Sequence, residues 1–94
     1  MRVTNGLLSA RSGPEFYDLE KSSEKPNTGR LVDSKMLRRV KKATEIIITK
    51  TDESDSFRRK ITNVSVVGKL FGYTVIIISW AVPELEEPWC VEEG

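Results

Sequence analysis

Hydrophobic and polar positions divide the chain into an irregular first third and a patterned remainder. From Met1 to about Val32 the apolar residues Leu7, Leu8, Phe16, Tyr17 and Leu19 are scattered among Ser, Gly, Pro, Asn and charges. No strand or helix period is sustained there, so residues 1–32 are predicted to be a flexible arm, or one that orders only on a partner. Within it, PEFYDLE could dock in a pocket through its aromatics, but covering the edge of the domain is the preferred role. Residues 33–94 are predicted to form one small β-rich domain with an acidic C-terminal tail.

The domain opens with a helix over Ser34–Ala43. Asp33 or Ser34 can cap its first turn, and Met36, Leu37 and Val40 share one face. TEIIITKT, residues 44–51, is strongly strand-forming, and the polar run from Asp52 to Ser56 reverses the chain. Phe57–Val67 resumes as a strand; Gly68, Lys69 and Gly72 mark a turn, and Tyr73–Val82 is the third strand before Pro83.

The apolar stretch Val64–Val82 also has the length of a membrane span, with Gly68 and Gly72 at the spacing that lets membrane helices approach. Lys69 within it and its wealth of Val, Ile, Thr, Tyr and Trp favour two buried strands. The expected fold is therefore α+β, mostly β: a three-stranded antiparallel meander with one short amphipathic helix. A meander leaves Tyr73–Val82 at an edge although both its faces are apolar, so the sheet is expected to be completed by dimerisation. Tyr73, Val75, Ile77, Ser79 and Trp80 are the predicted self-association residues.

Charge sharpens this picture. The 15 basic and 14 acidic side chains nearly cancel, but residues 34–60 hold nine basic and four acidic ones, and residues 61–94 hold one basic and five acidic. Lys35, Arg38, Arg39, Lys41 and Lys42 on the helix, with Arg58, Arg59 and Lys60 at the start of the next strand, form the candidate site for an anionic partner. Protein, nucleic-acid phosphate and anionic lipid are the partner classes such a patch fits. The competing explanations are a solvated basic face and neutralisation by the Glu84–Glu93 tail.

Chemistry narrows the classes further. There is no histidine, and Cys90 is the only cysteine, so an intramolecular disulfide and a Cys/His zinc site are excluded. Cys90 is expected to be an ordinary free thiol, which fits an intracellular, cytoplasmic location, with membrane association left open. The N-terminus has no secretory apolar core, and Thr4 and Gly6 argue against a transit-peptide helix. The Asn63-Val64-Ser65 sequon is then silent, and TDESDS is too short and irregular for a calcium loop. No nucleotide-binding glycine pattern or nucleophile elbow is present, and no enzyme, cofactor, metal or small-molecule substrate is expected. The function expected is that of a non-enzymatic small interaction or structural protein, self-associating through its apolar strand and presenting a basic face. The alternatives are a sequence-nonspecific nucleic-acid-binding protein and a small single-span membrane protein.

Overall fold

Six strands and two helices are present in the computed structural model, which describes residues 1–82. The elements are β1 (Arg2–Thr4), β2 (Leu7–Ser12), α1 (Pro14–Lys21), β3 (Asn27–Val32), α2 (Ser34–Lys41), β4 (Glu45–Lys50), β5 (Ser56–Leu70) and β6 (Tyr73–Trp80). They form a curled mixed sheet in the order β1-β2-β4-β5-β6-β3. β2 and β4 run parallel and every other pair is antiparallel.

Local chemistry sets the turns. Asn5 and Gly6, at φ 51° and 81°, make the two-residue reversal between β1 and β2 for which Asn-Gly is well suited. Glu53 at φ 64° sits in the β4–β5 connection, where Asp52 Oδ1 accepts from the Ser54 amide at 2.9 Å. Pro14 starts α1, where its missing N–H costs nothing. The Asp33 carboxylate accepts from the Met36 amide at 2.7 Å and caps α2.

β5 serves two partners in succession. Residues 56–60 pair with β4, and residues 61–70 pair with β6 across irregularities at Ile61/Asn63 and Val66/Gly68. Such bulges bend a strand, and here the bend separates a β1-β2-β4 flank from a β6-β3 flank. Alternation then sends Leu8, Ala10, Ile46, Ile48, Phe57, Ile76, Ile78 and Trp80 to one face, where Tyr17 of α1 and Val40 of α2 complete the core. Phe57 lies between Tyr17 and Trp80, with ring centroids 5.4 and 6.1 Å away.

Several expectations require correction. Residues 1–32 are not an arm: they supply β1, β2, α1 and β3, and bury Leu8, Ala10, Tyr17 and Val32. The meander β4-β5-β6 exists, but β2 extends it on one side and β3 on the other. β6 is thereby flanked by β5 and β3, so the edge-strand argument for dimerisation through Tyr73–Val82 does not apply. β5 also runs on through Gly68 and Lys69 to Leu70, leaving only Phe71 and Gly72 as the reversal. The apolar stretch from Val64 to Trp80 is a strand pair rather than a helix, and among the described residues no helix is long and apolar enough to cross a membrane. The acidic tail and Cys90 lie outside the described residues.

A side chain ties the two flanks together where no ladder does. β1 pairs only with Leu7–Ser9 of β2, leaving the edge beyond Ser9 without a strand. Arg30 of β3 reaches this edge, its Nη2 donating to the Arg11 carbonyl at 2.8 Å and to Ser12 Oγ at 3.3 Å. Its Nε donates to Thr28 Oγ1 at 3.2 Å. Beneath it, the buried Glu20 accepts from Ser12 Oγ at 2.7 Å and lies 3.5 Å from Lys25 Nζ. Burial lowers the Arg30 pKa from its ordinary value, and the Glu20 charge opposes that shift.

Candidate anion-binding surface

α2 builds the site from its own amphipathicity. Met36 and Leu37 pack against the core and Val40 is fully buried, which anchors one side of the helix on the sheet. Lys35, Arg38, Arg39 and Lys42 therefore emerge on the other side, spaced as neighbours on a helix surface. They line an open hollow of about 260 Å³. None of the four has an ion-pair partner among the described residues. Arg38, Arg39 and Lys41 occupy the last turn, where cations interact favourably with the helix dipole. Lys41 is exposed but does not line the hollow.

The second predicted cluster does not join the first. In β5, Arg58 is opposite Ile47 and Lys60 opposite Glu45, on the sheet face away from the helices. Arg58 is neutralised there, its Nη2 donating to Glu45 Oε1 at 2.7 Å. Arg59 points to the helix-covered face and is committed structurally. Its guanidinium lies 4.7 Å from the Phe57 ring centre, and Nη2 donates to the Lys21 carbonyl at 2.9 Å. Four of the eight predicted cations are thus gathered in one place, all from α2 and its C-cap.

The predicted self-association residues also divide by face. Tyr73, Val75, Ile77 and Ser79 share the face away from the helices, whereas Trp80 is 3% exposed in the core. Trp80 is therefore part of the fold and not of a surface.

Sequence reasoning missed a second basic concavity. Arg2, Arg11 and Arg30, with Ser9, Ile47 and Thr49, line about 570 Å³ across β1, β2, β4 and β3. It was hidden because residues 1–32 look like an arm; the Asn5-Gly6 hairpin signal would have revealed β1 and β2. Its arginines are partly engaged: Arg11 pairs with Glu53 at 2.6 Å, and Arg30 bridges the strands. Nearby polar groups are likewise committed to one another. Tyr17 Oη donates to Asp55 Oδ2 at 3.0 Å, and burial together with that carboxylate pushes the phenol pKa up to about 12. Asp55 is held below the usual carboxylate range by hydrogen bonds from Lys21 and Tyr17, and Asp52 by those from Ser54.

No protein-family model matches the chain, and no curated protein matches it either.

Proposed function

We propose that this is a non-enzymatic interaction module that holds an anionic partner against the exposed side of α2. One observation carries this reading: Lys35, Arg38, Arg39 and Lys42 surround a common hollow without a carboxylate partner among the described residues. Elsewhere, Arg11, Lys21, Lys25 and Arg58 each have one. A concentration of like charge without internal compensation raises the local concentration of counter-ions, and a polyanion gains by replacing them.

Extended nucleic acid is a weaker fit than a compact anionic surface. The patch is confined to one helix of eight residues, about 12 Å long at 1.5 Å per residue, and Arg58–Lys60 do not lengthen it. The test is retention of the whole chain on phosphocellulose in a salt gradient. Arg38→Glu with Arg39→Glu is expected to elute at clearly lower salt than the natural protein, and Arg58→Glu to elute close to it. Equal elution of the α2 double variant and the natural protein would overturn the proposal.

A further inference from the structure

The end of the β5–β6 hairpin combines two features that folding alone does not account for. Phe71 and Gly72 form its reversal at φ 53° and 80°, the left-handed pair that favours Asn, Asp or Gly at the first position. A phenylalanine there carries backbone strain. The residue is also 87% exposed, so packing does not repay that strain. Leu70 and Tyr73, the strand pair next to the turn, are exposed, as are Val66 and Val67 farther back along β5. Residues 61–82 contain a single charge, Lys69, one position before the last strand pair, Leu70 with Tyr73.

α2 begins at the same end. Val32, the last residue of β3, is opposite Thr74 of β6, and Asp33 immediately caps the helix. The first turn of α2, with Lys35, therefore starts at the hairpin end of the sheet, and Arg38, Arg39 and Lys42 follow along the helix. We propose that this end of the molecule docks on an anionic lipid bilayer, with Phe71 and its apolar neighbours entering the interface and the α2 cations meeting the headgroups. The inference deepens the anionic-partner reading and rests on it. An apolar wedge plus a basic patch supplies the two signals that stable peripheral attachment needs.

Charge favours lipid over pairing of two copies hairpin to hairpin. Residues 56–82 contain no acidic side chain, so pairing two hairpins would bring together Lys69 and the α2 cations of both copies. The irregularity at Val66/Gly68 also interrupts β5 on the stretch a second copy would have to pair with. Anionic headgroups meet the same charges with opposite sign.

The experiment is co-sedimentation of the whole chain with vesicles of phosphatidylcholine alone or with about 30% phosphatidylserine, beside the phosphocellulose assay. The natural protein is expected to bind only the phosphatidylserine vesicles. Phe71→Asn suits the left-handed turn, so its thermal midpoint is expected to be no lower. It is expected to lose about tenfold in vesicle affinity, the scale of one aromatic side chain withdrawn from burial, while keeping its phosphocellulose elution. Full vesicle binding by Phe71→Asn would overturn the role of the tip. Retention of the natural protein on phosphocellulose without vesicle binding would overturn the lipid proposal and leave the anionic-partner reading standing. Loss of phosphocellulose retention would remove that parent reading itself. A natural dimer made monomeric by Phe71→Asn, without vesicle binding, would assign the tip to self-association and overturn the proposal.

Discussion

The β1-β2-β4 flank with α1 and the β5–β6 hairpin expose very different surfaces. The first is densely charged and partly compensated: the Arg11–Glu53, Lys21–Asp55, Lys25–Glu20 and Arg58–Glu45 pairs all lie there. From Ile61 to Val82 the chain has one charge, and it exposes Val66, Val67, Leu70, Phe71 and Tyr73. Between them, Lys35, Arg38, Arg39 and Lys42 of α2 and its C-cap have no ion-pair partner among the described residues. Where charges pair in this way, much of their field is already answered within the fold. Apolar groups in water and unopposed like charges each gain free energy from a second body. The proposed recognition surface accordingly falls on α2 and the hairpin tip, while the buried core, with Ile46 and Ile78, lies on both sides of the β5 bend.

The largest expected effect tests whether the flanks share one core. Ile46 and Ile78 are both fully buried, one on each side of the β5 bend. Ile46→Ala and Ile78→Ala should each destabilise by about 2–5 kcal/mol, lowering the same single transition in urea. Two separate transitions, each moved by only one variant, would break the molecule into independent halves. Next is Arg30→Met, which strips the bridge between β3 and β2 and leaves the Arg11 carbonyl without its donor. A loss of about 2 kcal/mol is expected by urea unfolding, and an unchanged midpoint would show that the bridge contributes nothing to closing the sheet.

Tyr17 tests the polar network on the charged flank through pH. Its folded pKa, about 12, lies above the unfolded value of 10.0, so the folded protein retains a proton that the unfolded chain releases. The associated stability is fully present below pH 10 and is lost as pH rises toward 12. Tyr17→Phe should flatten that alkaline decline, as read by denaturant midpoints across this range. An equally steep decline in the variant would place its origin elsewhere. The smallest effect is expected from Arg58→Ala, since its pair with Glu45 is exposed on both sides. A loss below about 1 kcal/mol is expected. A larger one would mean that the surface pairs, and not the shared core, hold that flank.

α2 and the strands β4, β5 and β6 were legible because each rests on a local signal. The three isoleucines of β4, the turn after it and the cap-plus-apolar face of α2 need no knowledge of distant residues. β3 was not legible, because its inward positions include Thr28, which accepts from Arg30 within the strand, and Arg30, which donates across the gap to β2. An arginine facing inward looks like loop composition until its acceptors are in place. β2 has the same character: Ser12 is buried only because Glu20 and Arg30 engage it. The candidate site was half legible for a related reason. Helical spacing alone grouped Lys35, Arg38, Arg39 and Lys42, whereas the destination of Arg58, Arg59 and Lys60 depended on which strand face was covered.

By itself, the amino-acid sequence determined where the chain forms its later strands, which side of α2 must be buried and how charge is distributed along the backbone. These follow from side-chain periodicity and turn chemistry, which act over a few residues. Only the tertiary structure decided that β6 is an inner strand, that Arg59 belongs to the fold and Arg58 to Glu45, and that an exposed phenylalanine ends the hairpin on the side of the sheet where the basic helix begins. Strand order and the covered face of a sheet are set by contacts between residues far apart in sequence, and those contacts decide which charges find partners.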